Sequence, residues 1–398
     1  MNRLSASPAL SASPSRTRRW VSSLRLRLLP VALLLLFAAS AACTGVAKAD
    51  GWSGGVVVDE VLYTGSMDGT LLAVEIVSGQ ALWEFDGLVG GDDRRHSFYG
   101  DPVVVDDLVY AAGYDGHLYA VSRADGSTVW EVAVGTDEEP IVGGVGYGNG
   151  VVVVGSSDGY VYAFDAASGV ERWRFETGSM VWTTPLVDEG IVYFGSLDKH
   201  VYAVALAGGG EVWKVELDGA VAAPPAKVGN RIFVGAFDSV FYALDASTGA
   251  EQWRFLDANG WFWAAALATE TAVYAPSLDG NVYALSPNTG EQIWPEPLET
   301  DGRIVGTPAA IGGYLVVASD DGNVWTVSLA DKGNQRKCDI DHRLRTNVVG
   351  SDGVVYLGAW DHTVRALEIN DFGVLNTRWV YKTDRPVSEN PATDVSSC

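Results

Sequence analysis

One short unit is written eight times in this chain from about residue 53 onward, and the spacing of a single acid inside it constrains the fold more than any other feature. Asp68, Asp115, Asp158, Asp198, Asp238, Asp279, Asp321 and Asp361 stand 47, 43, 40, 40, 41, 42 and 40 residues apart. A period near 40 marks an array of supersecondary units that bury their apolar faces only against one another. The length of 398 residues therefore does not mean two or three separate domains.

Within each unit an apolar strand leads through a Gly and a small residue to an Asp-Gly-like turn. A second strand, a polar turn and a Trp-bearing strand follow. Tyr160-Val161-Tyr162-Ala163-Phe164 and Asn281-Val282-Tyr283-Ala284-Leu285 have the period of two that sends alternate side chains to opposite faces. Asp-Gly at 68–69, 115–116, 158–159, 279–280 and 321–322 is a strong hairpin signal, because Gly accepts the positive φ of a tight turn. A further turn, as in Asp245-Ala246-Ser247-Thr248-Gly249, precedes the outer strand. Its aromatic is Trp83, Trp130, Trp173, Trp213, Trp253, Trp294 or Trp379, with Cys338 in the seventh place. A large indole recurring once per unit reads as a packing key between neighbouring blades.

The fold expected is all-β: an eight-bladed β-propeller of four-stranded antiparallel blades over residues 53–394, with residues 395–398 as a tail. The 46 Gly, 14 Trp and 47% apolar content suit many short strands and tight turns. Two segments compete for one inner-strand slot, Gly55-Val56-Val57-Val58 and residues 385–392. Closure between blades 1 and 8, with the tail alongside, is the expectation.

The first 42 residues read as a signal peptide. Six arginines and no acid precede an apolar run from Leu28 to Ala42, too short for a permanent span. Ser40-Ala41-Ala42-Cys43 resembles a lipoprotein box, which makes Cys43 the lipidation site and 43–52 a tether. Ala47-Lys48-Ala49 offers an alternative cleavage site. The chain is thus expected to be exported to the cell envelope, touching membrane only through the lipid. A net charge of −23 argues against nucleic acid as a partner. With Cys43 lipidated, Cys338 and Cys398 are the remaining pair for a disulfide in an oxidising compartment; two unrelated thiols are the alternative.

The Trp-bearing element resembles the tryptophan-docking motif of the pyrroloquinoline-quinone (PQQ) type propeller repeats, a family that includes the quinoprotein alcohol dehydrogenases and the non-enzymatic, BamB-like lipoproteins of barrel assembly. The resemblance covers residues 53–394 and implies the fold more strongly than any activity. Its enzymatic branch implies PQQ and Ca²⁺ at the ring centre. The nearly bare repeats, the scattered Cys and the lack of any acid that stands out from the repeating turn acids point away from it, so no catalytic, cofactor or metal residue is expected. The five His are scattered, with His117, His200 and His362 beside the turn Asp of different blades, and read as surface turn residues; no hydrolase or phosphate-loop motif occurs.

Large aromatics concentrate instead in loops that should be polar. Phe98-Tyr99, Tyr114, Trp182, Phe237, Trp261-Phe262-Trp263 and Trp360 all lie outside the docking lattice. Either several of them plug the centre, or they form a rim that grips a partner, since Trp and Tyr concentrate at binding hot spots. Tyr114, Trp182, Phe237, Trp261, Trp263 and Trp360 are the candidate partner-binding residues. The function expected is a monomeric, non-catalytic scaffold for an envelope protein or an extended polypeptide in envelope assembly. A PQQ-dependent dehydrogenase and a glycan-binding propeller are the alternatives.

Overall fold

The computed structural model describes residues 53–86, 97–330 and 332–383. The segments expected to be a signal peptide (1–42) and a tether (43–52, with Cys43), residue His96 and residues 384–398 with Cys398 lie outside them. The described residues form eight four-stranded antiparallel sheets, each built from consecutive strands. In blade 1 these are Val56–Val58, Val61–Gly65, Leu71–Glu75 and Ala81–Phe85. The pattern repeats at 103–133, 146–176, 186–216, 226–255, 267–299, 309–339 and 349–382.

Each sheet is buried on both faces, which explains the continuous apolar runs in the middle strands. In the strand Val151–Gly155, Val152 and Val154 pack towards Tyr110 and Ala112 of blade 2, while Val151 and Val153 pack towards Val192 and Phe194 of blade 4. One such cluster fills every gap between blades. Burying one of these side chains contributes roughly 1.5–3 kcal/mol, so the blades hold together through their shared walls.

The ring closes between blades 1 and 8, where Leu62, Leu72 and Val74 share a core with Tyr356, Val364, Trp379 and Tyr381. Val56–Val58 occupies the inner slot of blade 1 by pairing with Val61–Tyr63. Across the seam Tyr381 donates to Glu84, Thr383 donates to Asp68, and His362 Nδ1 lies 2.7 Å from Asp68 Oδ1.

The recurring indoles sit between blades. Trp83, Trp130, Trp173, Trp213, Trp253 and Trp379 donate through Nε1 to Arg123, Ala166, Leu206, Ala246, Pro287 and Ile76 carbonyls at 2.7–3.1 Å. The turn glycine of the next blade lies over each ring. At Gly249, with φ +73°, a Cβ would stand 2.7 Å from the Trp213 indole. Trp294 is buried against Tyr274, with ring centroids 5.3 Å apart.

In blade 7, Cys338 is buried in the gap to blade 8, and Tyr314 takes over the docking geometry. Its hydroxyl donates to the Asp371 carbonyl at 2.8 Å, and Gly373 lies over its ring. Nothing in the Trp pattern pointed to Tyr314.

The repeating turn acids brace their own hairpins. Asp158, Asp198, Asp238 and Asp279 each accept a backbone N–H two residues on and a Tyr hydroxyl four residues on, as in Tyr202 to Asp198 at 2.7 Å. Burial works to raise the Asp198 pKa, but the hydrogen bonds from Tyr202, Gly178 and His200 outweigh it and hold the carboxyl below its ordinary value. One histidine departs from the surface-turn expectation. His117 opens a strand and is buried, with Nδ1 3.9 Å from Asp115 and Nε2 4.0 Å from Glu131.

Candidate functional site on the loop face

The segments that enter each blade at its inner strand run extended, so their side chains alternate between two environments. In 261–265 the order is exposed Trp261, buried Phe262, half-buried Trp263, buried Ala264 and half-buried Ala265. Residues 303–307 and 343–347 follow the same order, with Arg303 more exposed than Arg343. The buried second position inserts between blades as Phe98, Ile141, Val181, Val221, Phe262, Ile304 and Leu344. Phe98 and Phe262 are therefore core residues and not part of a rim, because the strand period places them a half-turn away from their aromatic neighbours.

The third position faces the axis. Tyr99, Val142, Trp182, Ala222, Trp263, Val305 and Arg345 surround a funnel of about 630 Å³ that is open to solvent. Two positions further on, Asp101, Thr184, Pro224, Ala265, Thr307 and Asn347 form a waist between this funnel and a second depression on the axis. In blades 2 to 8 the turn between the two middle strands is tied to the first position by a backbone bond, as in Phe237 N to Ala220 O at 2.9 Å and Trp360 N to Arg343 O at 3.1 Å.

These rows bring the candidate residues together in sectors. Over blades 4 to 6, Phe237 lies between two parallel indoles, Trp261 at 4.8 Å and Trp263 at 5.8 Å between centroids. Trp263 in turn meets Trp182 at 6.1 Å, and the Trp182 indole donates to Ser157 Oγ at 3.1 Å. Trp261 is 51% exposed, so one face of the shelf stands in solvent. Tyr114 pairs with Tyr99 at 5.1 Å in blade 2.

Trp360 belongs to a different sector that the sequence pattern did not reveal. Arg343 and Arg345 lie over its ring at 4.5 and 4.7 Å. Both guanidiniums also grip Asp320: Arg343 at 3.0 and 2.7 Å, Arg345 at 2.8 and 3.5 Å. Arg303 joins at 3.1 Å. Burial acts to raise the Asp320 pKa, but the hydrogen bonds and charges of Arg345 and Arg343 prevail and lower it.

The waist does not suit a Ca²⁺-bridged quinone. Asp101 is its acid, and both carboxylate oxygens already accept N–H groups: Gly54 and Gly55 at 2.6 and 3.3 Å on Oδ1, Asn347 at 2.9 Å on Oδ2. Ca²⁺ takes six to eight oxygens, and among the described residues no group of three or more His, Cys, Asp or Glu is placed to hold a metal.

Together these features define a tryptophan-docked, eight-bladed propeller whose decorated face surrounds an axial funnel. The chain belongs to the family described as outer membrane protein assembly factor BamB, which it matches over residues 11–142, 115–208, 199–371 and 278–395. Among solved structures it is similar to the computationally designed Ika8 protein, with 21% identity, TM-score 0.68 and coverage of 81% of this chain and 98% of that one. It is also similar to BamB from Moraxella catarrhalis, with 20% identity, TM-score 0.67 and coverage of 80% and 94%. At these identities the structural likeness shows the fold alone. A search of curated proteins returned no match. Membership of the family supports a protein-binding scaffold as the general role.

Proposed function

We propose that the chain is an exported scaffold, anchored by lipid at Cys43, that holds a protein partner or an extended polypeptide on its loop face in the cell envelope. The observation that carries this reading is the Trp261–Phe237–Trp263–Trp182 shelf. It is a run of stacked rings with one exposed end, continuing into an open funnel. Rigid aromatics of this kind bury much area on binding at a modest cost in entropy. A plug would leave them enclosed, whereas Trp261 is among the most exposed large apolar side chains. The family supports envelope assembly as the setting, with the partner left to experiment. The protein acts as a monomer and needs no cofactor.

The disulfide of the proposal joins Cys338 to Cys398. Cys338 is disulfide-bonded, and Cys43 and Cys398 are the other cysteines of the chain.

Site-specific photo-crosslinking in cells that make the protein tests the reading. A crosslinker at Phe237 or Met180, on the loop face, is expected to trap one discrete polypeptide. The same group at Val170, in the turn that precedes an outer strand, is expected to trap none. Equal capture at both places would refute the assignment of the face.

A further inference from the structure

Three guanidiniums converge on one carboxylate at the edge of the funnel, and their charge exceeds it. Arg343 and Arg345 each lay two nitrogens on Asp320, and Arg303 adds a third contact. Asp320 is only 7% exposed, so the carboxylate is committed to them, while all three arginines keep substantial exposed surface. Beside them the Trp360 Nε1 is buried with no acceptor among the described residues. This surplus of donors stands in a protein of net charge −23. Arg345 lines the same funnel as Trp182 and Trp263.

We propose that Arg343 and Arg345, assisted by Arg303, bind a carboxylate of the captured polypeptide, placed next to an apolar side chain that packs on the Trp182–Trp263 wall. The inference rests on the polypeptide-binding reading and adds what the segment must carry. Planar guanidinium forks recognise carboxylates in a bidentate manner, and stacking on Trp360 holds two of these forks in place. Asp279, Asp301 and Asp321 border the site beside Arg303, with Lys337 paired to Asp301. An acidic group is thus repelled from the surroundings and accepted at this spot, which fixes the orientation of a bound segment.

Calorimetric titration of the exported protein with three hexapeptides tests this. One has an internal Asp beside Phe and an amidated end. The second replaces that Asp by Asn, also amidated. The third is the Asn peptide with a free terminal carboxylate. At least one anionic peptide is expected to bind roughly ten-fold or more tightly than the neutral one, the scale of a charge-assisted pair. The better of the two identifies the carboxylate as that of a side chain or a chain end. The preference is expected to vanish in Arg343→Gln/Arg345→Gln. If that variant melts early, Arg345→Gln, which leaves Arg343 and Arg303 on Asp320, is read instead.

Equal binding of all three peptides, no binding of any, or an anionic preference that survives the arginine variants overturns the proposal. Equal binding that is still lost in Trp261→Ala would overturn the carboxylate site while leaving the polypeptide reading intact.

Discussion

Asn347 Nδ2 donates to Asp101 Oδ2 at 2.9 Å, so a side chain of blade 8 holds one of blade 2 across the blade between them. Gly54 and Gly55 of blade 1 donate to the other oxygen, and Thr307 N of blade 7 donates to Asn347 Oδ1 at 2.8 Å. Four blades are thus tied at the waist, across the seam where the two ends of the ring meet. Removal from solvent raises the Asp101 pKa in spite of these donors.

Asp101→Asn is expected to loosen the seam although it is isosteric. The new amide would set its own NH₂ against that of Asn347, whose oxygen is committed to Thr307. Leaving a half-buried donor unmatched costs about 1 kcal/mol. Urea unfolding at neutral pH measures this, and unchanged stability would mean that Asn347 reorients without cost.

Acid is expected to weaken the protein through Asp198 and Asp320. Their pKa values are depressed in the fold, so the stability they contribute is present above the ordinary aspartate value of about 4 and is lost as pH falls through the lowered values. Asp101 has the opposite sign: its contribution is full below that ordinary value and is lost as pH rises through the raised one. Unfolding curves between pH 5 and pH 3, at about half-unit steps, should therefore be shallower for Asp198→Asn than for the parent. Parallel curves would exclude Asp198 as a contributor.

Docking is expected to be costly to disturb at the lattice and cheaper at its exception. Trp213→Ala removes a buried indole, a loss of about 3–5 kcal/mol, and Gly249→Ala drives a Cβ into the same ring for about 1–3 kcal/mol. Tyr314→Phe keeps the ring and loses the bond to Asp371, a loss of about 1 kcal/mol. Denaturant midpoints rank the three. Tyr314→Phe falling as far as Trp213→Ala would show that more than the hydroxyl is at stake.

The lattice was legible because each Trp recurs at one place in the repeat, and Asp-Gly turns located the hairpins between them. Tyr314 escaped because it docks from a different strand, at a position that Val61, Leu108, Val151, Ile191, Arg231 and Val354 hold in other blades. Phe98 and Phe262 were misplaced because adjacent aromatics in a loop look alike until the extended backbone sends them to opposite sides. The arginine cluster was hidden in another way. Asp320 sits beside the turn acid Asp321 and reads as its neighbour, and Arg303 is about forty residues from Arg343 and Arg345, so only the closure of blades 7 and 8 brings them together. Aligning 261–265, 303–307 and 343–347 as rows would have shown Trp261 replaced by two arginines in turn and Trp263 replaced by Val305 and then Arg345.

Mass spectrometry of the exported protein, with and without reductant, is expected to show a lipid-bearing Cys43 and one disulfide between Cys338 and Cys398. Two free thiols would remove the pairing, and an N-terminus at Asp50 would remove the anchor.

Whether the aromatic shelf holds polypeptide is decided by the binding of a fluorescently labelled, reduced and carboxymethylated polypeptide to the parent protein and to Trp261→Ala. Because half of Trp261 already faces solvent, its loss should move the melting temperature by no more than about 2 °C, while binding weakens ten-fold or more, about 1.4 kcal/mol. Equal affinity for the two proteins, or no binding by the parent, would mean that the shelf does not hold polypeptide.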